Sequence, residues 1–212
     1  MTSEMQAADF VSRTQVKQGT CSIIYAAAPI MPGTKPGEWT FFISFQVPVP
    51  NESRMYALRT AFIAANLNSG ALRRIPLSIN ELGGKFINDF EGALEWPVYS
   101  PLDRKTYAIF SESLFGSTNS GDSIGVLASI TADGKLESVD KAAARADEYY
   151  YFYYKPVIAS DGALWYVRVN QASKGKSDRF ELVRYDPVTE EKRVIHRAAR
   201  FGAILVKPEK EW

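Results

Sequence analysis

Two turn signals within one stretch of forty residues constrain this chain more than any other feature. Residues 156–171 read PVIASDGALWYVRVNQ, and residues 180–195 read FELVRYDPVTEEKRVI. Apolar alternating runs flank Asp161-Gly162, and two more flank Asp186-Pro187-Val188-Thr189-Glu190. An Asp-Gly pair between such runs is a strong hairpin signal, because glycine adopts the positive φ that tight turns require. The stretch therefore predicts four strands in consecutive hairpins, a meander the size of one propeller blade.

The rest of the chain supplies looser copies. The segments FIAANLNSGALRRI (62–75), VLASITADGKLESV (126–139) and LVRYDPVTEEKRVI (182–195) share one pattern: a central turn cluster with an apolar residue at each end. Ahead of each lies an aromatic strand candidate, Trp39–Val47, Thr106–Glu112 and Leu164–Asn170, and ahead of those Ser22–Ala28, Leu94–Ser100 and Tyr153–Ala159. The expectation is a single all-β domain over 1–212, built of three antiparallel, propeller-like meanders at about 20–78, 93–140 and 149–200. A β-sandwich or barrel is the alternative. The spacing of the copies, starting at residues 62, 126 and 182, exceeds the ~40–50 residues of familiar propeller repeats.

Short helical segments are allowed at 1–18, 51–66 and 140–148. In the second of these Met55, Leu58, Phe62 and Ala65 fall at helical spacing, although the match between copies favours strands there. WTFFISFQV (39–47) reads as a strand buried on both faces, residues 78–92 as an interruption made of a helical turn or loop, and AILV (203–206) as a strand left over after the third copy.

Three blades make an awkward number, since blades are stabilised by stacking and the end faces expose apolar surface. At roughly 25 cal/mol per Å², leaving two such faces bare would forfeit on the order of 10 kcal/mol, a whole domain's stability. Something must cover them: residues 1–18 or 78–92, a second copy of the chain, or another protein.

Composition bounds the partners. Net charge is +1, which provides no field for nucleic acid or anionic membranes. No apolar run reaches the ~20 residues of a membrane-spanning helix, and MTSEMQAADFVSRTQ lacks the apolar core of a secretory signal, so the expectation is a soluble, cytoplasmic protein. The single Cys21 rules out an intrachain disulfide and reads as a small buried hydrophobe.

Signals for chemistry are sparse. His196 is the only histidine, and no G-x-S-x-G elbow presents a serine to it. No zinc or EF-hand spacing occurs, and LGGK (82–85) and SKGKSD (173–178) lack the strand and helix that frame a phosphate loop. No cofactor or metal is expected. The unusual feature is the aromatic run Tyr149–Tyr154, YYYFYY. It reads first as core with cross-strand aromatic pairing and second as a stacking platform for a sugar, a base or a partner's side chains. Candidate binding residues are Tyr150, Tyr154, Trp165 and Arg168, together with Trp39 and Trp96.

SDGALWYV (160–167) resembles the D-G-x-L-W strand of lyase-type and gluconolactonase-type propellers, and VRYDPVTEEK (183–192) resembles the outer Asp-x-x-Thr-Gly hairpin of many propellers. Glu190 stands where that pattern has glycine. The resemblance implies a propeller-type fold and carries no catalytic residue onto this chain, because those families place their metal ligands and bases on other blades. The expected function is a non-enzymatic protein-binding scaffold of adaptor, inhibitor or immunity type, partnered by another protein or a second copy. The alternatives are a carbohydrate-binding or carbohydrate-acting protein that uses aromatic stacking, and a lyase or hydrolase with a carboxylate site at Asp103 and Asp161.

Overall fold

The structure is a computed structural model of the 212-residue sequence and describes residues 23–26, 31–48, 56–79, 85–91, 94–111, 125–140, 150–171 and 179–198. All regular structure among these residues is β, in sixteen strands and three open sheets. The segments 1–18 and 203–206 and residues 141–148 lie outside the described residues, as does Cys21. The chain divides into two compact units: residues 1–94, 113–118 and 130–137 form one, and 95–112, 119–129 and 138–212 form the other.

The first unit is dominated by one sheet. Strands β1 (Ile23–Ala26), β3 (Glu38–Pro48), β4 (Tyr56–Asn66) and β5 (Leu72–Arg74) lie in that order, with β2 (Met31–Pro32) on β3 and β8 (Asp89–Glu91) on β4. The β3–β4 ladder is continuous from Glu38↔Asn66 to Pro48↔Tyr56. Strand alternation sends Phe42 to one face, where it meets Phe62 at 4.8 Å and Phe90 edge-on at 6.2 Å. The buried hydroxyls on that face are satisfied locally: Ser44 and Thr60 share a 2.8 Å hydrogen bond, and Thr40 donates to the Met31 carbonyl. Ile43, Phe45, Ala61 and Ile63 are buried on the opposite face. The aromatic segment 39–47 thus forms a strand apolar on both sides. Its charged start is held by Glu38, which accepts two hydrogen bonds from the Arg73 guanidinium, and this pairing lowers the Glu38 pKa below the ordinary carboxylate value.

Two expectations need correction in this unit. The helical alternative for 51–66 fails over its described part, because Tyr56–Asn66 is the central strand β4. Its alanines suit a helix, but packing between β3 and the β5 and β8 edges outweighs that propensity. The described residues of 78–92 form no helical turn. They contribute β7 (Lys85–Ile87) and β8, and β6 (Leu77–Ile79) runs into their start. Such three-residue strands are too short to display a period.

Strand β6 also departs from antiparallel pairing: Ser78 and Ile79 pair in parallel with Lys135 and Leu136, the start of β12 (Lys135–Asp140). The turn before β12 makes the close approach feasible. Gly134 has φ +91° and accepts a hydrogen bond from the Ser78 N–H at 2.9 Å, and a Cβ there would lie 2.4 Å from the Pro76 carbonyl oxygen.

The second unit contains two four-strand runs in sequence order. β9 (Glu95–Ser100), β10 (Lys105–Ser111), β11 (Gly125–Ile130) and the end of β12 form one; β13 (Tyr150–Ile158), β14 (Leu164–Gln171), β15 (Arg179–Tyr185) and β16 (Lys192–Ala198) form the other. They pack face to face through Tyr107, Ile109 and Leu127 from one sheet and Leu164, Tyr166, Val183 and Tyr185 from the other. Tyr107 and Tyr185 meet edge-to-face at 6.1 Å.

Both hairpin turns of the last sheet form where the sequence places them. Asp161 accepts from the Ala163 N–H, and Gly162 takes φ +81°. Asp186 accepts from the N–H groups of Val188 and Thr189, which lowers its pKa, and Glu190 takes φ +58°. The glycine of the resembled hairpin pattern has a physical reason at this position, since a side chain there is held in the left-handed region.

Opposite outcomes are expected at these two turns. Gly134→Ala should lose more than about 2 kcal/mol through strain and backbone clash, whereas Glu190→Gly should gain about 1 kcal/mol by relaxing the turn. Urea denaturation of both variants checks the pair, and a neutral Gly134→Ala would contradict the β6–β12 register.

Candidate functional site

The described polar groups of the second unit converge on Asp140, at the end of β12. The residue is 5 % exposed. Its Oδ2 accepts a 2.6 Å hydrogen bond from the Tyr166 hydroxyl and a 3.3 Å one from Arg168 Nη1. On the other side Lys192 Nζ sits 3.9 Å from Oδ1 and donates to the Val139 carbonyl at 2.8 Å. Strand β14 explains the pairing: Tyr166 and Arg168 are two residues apart and share the sheet face that meets β12.

Arg168 extends the network. Its Nε and Nη2 donate to Glu181 Oε2 at 3.0 and 2.6 Å, across the β14–β15 ladder, and Arg197 donates to Glu181 Oε1 at 2.8 Å from β16. Five charges therefore alternate in sign, from Lys192 through Asp140, Arg168 and Glu181 to Arg197. Burial alone would weaken the Arg168 charge, but Asp140 and Glu181 outweigh it and leave the guanidinium more basic than usual. Burial would likewise raise Glu181, yet the hydrogen bonds from Arg197 and Arg168 bring its pKa below the ordinary carboxylate range. Chemically this is a compensated bridge between two sheets, with Glu181 held ionised by its guanidinium partners.

The other sequence candidates take different positions. Trp165 is half-buried on the opposite face of β14, with Val157 and Arg184 as its cross-strand partners. Tyr150 and Tyr154 lie on β13 opposite Gln171 and Val167, the parity of Trp165 rather than Arg168. Trp39 lies in the first unit, 37 % exposed, in a cross-strand row with Pro32 and Ala65.

Trp96 has the most unusual backbone of the set. It is 48 % exposed and has φ +53°, although it immediately precedes Pro97. A residue before proline is driven towards extended conformations, and holding a bulky side chain in the left-handed region costs on the order of 1–3 kcal/mol. The cause is a β-bulge: Tyr107 pairs with Val98 and Ile109 with Glu95, so Trp96 and Pro97 together oppose Ala108. Strand β13 lies alongside β9, which brings the Trp96 strand next to that of Tyr150 and Tyr154.

Of the catalytic alternatives, Asp161 accepts from the Ala163 N–H and pairs with Arg184 at 2.9 Å, which lowers its pKa. Asp103 accepts a 2.5 Å hydrogen bond from Tyr107, whose pKa is raised by burial and by that carboxylate. His196 is exposed on β16, opposite Leu182. Among the described residues no group of three or more His, Cys, Asp or Glu side chains converges as a metal site would require, and no helix is long and apolar enough to cross a membrane.

Sequence reasoning missed Asp140, Tyr166 and Glu181. The i, i+2 spacing of Tyr166 and Arg168 signals a shared face, and Glu181 follows once the hairpin register is set. Asp140 sits on a different sheet, and nothing local to it marks the contact. No protein-family model matches this chain, and no curated protein is significantly similar to it.

Removing Asp140 should take from the Tyr166 hydroxyl its 2.6 Å acceptor and from Arg168 one of its two carboxylate partners. Asp140→Ala is expected to cost about 3–5 kcal/mol, and Tyr166→Phe, which keeps the ion pair, about 1–2 kcal/mol. Chemical denaturation with the double variant reads the coupling, and additive effects would contradict the bridge.

Proposed function

We propose that the chain is a non-enzymatic protein-binding scaffold with a propeller-like arrangement of blades, and that it presents an outer sheet face to a partner protein or to a second copy of itself. One observation carries the reading: strand β14 is apolar on both faces. Leu164 and Tyr166 are consumed by the core with the neighbouring sheet. On the other face Val167 and Val169 are buried, Trp165, Leu182 and Phe180 are half-buried and Val157 is 38 % exposed. A strand apolar on both sides suits a sheet covered on both sides.

The blade-like repeat has support in the registers. One register shift falls in the β15–β16 pairing, at Leu182/Val183, and others fall in the β1–β3, β10–β9 and β13–β14 pairings, at Ile23/Tyr25, at Tyr107/Ile109 and at Tyr154/Val157. In the last two the extra residues include a proline, Pro97 and Pro156, which suits a position where the ladder is already interrupted. Each such bulge bends and twists its own strand locally.

Native mass spectrometry and light scattering of the full chain test the reading. Assemblies of two or more copies are expected in the micromolar range. Trp165→Glu should convert them to monomers without loss of far-UV β signal, because a carboxylate on that face replaces apolar contact area and is costly to desolvate. A highly stable wild-type monomer would contradict it.

A further inference from the structure

We propose that the β9–β10 hairpin encloses one structural water molecule, bound between the Ser100 hydroxyl and the Asp103 carboxylate. Two buried oxygens mark the place. Among the described residues, Ser100 Oγ and Asp103 Oδ1 are sealed from solvent and meet no hydrogen-bond partner, each other included; Ser100 is 0 % exposed. A hydroxyl or carboxylate oxygen left in that state forfeits its hydration with nothing in return, which is why buried polar atoms are bonded to protein or to ordered water. The second Asp103 oxygen is already used: Oδ2 accepts the 2.5 Å hydrogen bond from the Tyr107 hydroxyl.

Both oxygens belong to one turn and to one side of the sheet. Ser100 pairs with Lys105 across the ladder, so residues 101–104 form the turn between them. Strand alternation puts Ser100 on the face of Val98, which packs against the core shared with the last sheet. Tyr107, a member of that core, draws Asp103 to the same side. Three residues apart around a tight turn, the two oxygens lie within reach of a single bridging molecule. The neighbouring hairpin helps to close the place: Leu102 lies so near Gly162 that a Cβ on that glycine would sit 2.6 Å from Leu102 Cδ2. Water fits both groups, since a carboxylate oxygen only accepts, a hydroxyl donates and accepts, and a water can serve each at once. A hard cation would call for six or more oxygen ligands, and no cluster of three acidic, histidine or cysteine side chains occurs among the described residues. Bridged in this way, the Asp103 carboxylate has both oxygens satisfied and holds the turn in which Arg104 stands at φ +59°.

Water–protein NOE spectroscopy on the isotope-labelled full chain tests the site. Cross-peaks from a long-lived water to the amide and β-protons of Ser100 and Asp103 are expected, and they should be the same with and without sodium, potassium or calcium ions. Thermal melting of Ser100→Ala gives an independent reading through its sign. With water bound, the substitution removes a satisfied hydroxyl and should lower the melting temperature by about 2–4 °C. A bare hydroxyl would instead be relieved by its removal, and the variant would melt higher. Missing water cross-peaks at these protons, cross-peaks that vanish when one of the three cations is added, or a Ser100→Ala melting temperature equal to or above that of the wild type would each overturn the proposal.

Discussion

A carboxylate enclosed between two sheets sets the terms for the second unit. Asp140 closes the end of β12, and its contacts lie on β14 and β16 of the next sheet. An isolated buried charge would be intolerable there, so the Tyr166 hydroxyl and the Arg168 guanidinium must stay where they are. Their placement fixes the β14 register, which in turn aligns Leu164 with Tyr185 and Tyr166 with Val183 in the shared core. Burying apolar area drives the sheets together, and the charge bridge selects an alignment that keeps the buried Asp140 partnered. The exposed members, Lys192 and Arg197, contribute less because solvent screens them.

The proposed protein-binding role concerns the face directed away from this bridge. Because the alternation of β14 turns Tyr166 and Arg168 inward, it necessarily sends Trp165, Val167 and Val169 outward. The outward set is no more polar than the inward one, which is why a covering surface is part of the functional reading. At Trp96 the logic differs. That tryptophan owes its orientation to an interruption of strand alternation, so its exposure reflects a local backbone device and not an uncovered face.

Much of this architecture is legible in the sequence because its punctuation is local. Asp161-Gly162 and Asp186–Glu190 specify their turns through side-chain acceptance of backbone N–H groups, an interaction spanning two or three residues. The double-sided apolar character of β3 is equally visible in WTFFISF. What escapes the sequence depends on distant partners. The alanine-rich Tyr56–Asn66 could satisfy helical spacing and becomes a strand only because β3 offers it eleven paired residues. The short strands β6 to β8 exist because neighbours complete them. Arg168 is recognisable as unusual in an apolar strand, but its role as the middle of a bridge follows only from Asp140, twenty-eight residues earlier on another sheet.

Native-state hydrogen exchange on the full chain tests the central claim most directly, because it reports which strands open together. If the two sheets of the second unit are locked by their shared core and the Asp140 bridge, the amides of β10, β11, β14 and β15 should exchange with one common opening free energy, equal to that of global unfolding. If β14 and β15 instead exchange at a distinctly lower free energy than β10 and β11, the sheets open separately and the account fails.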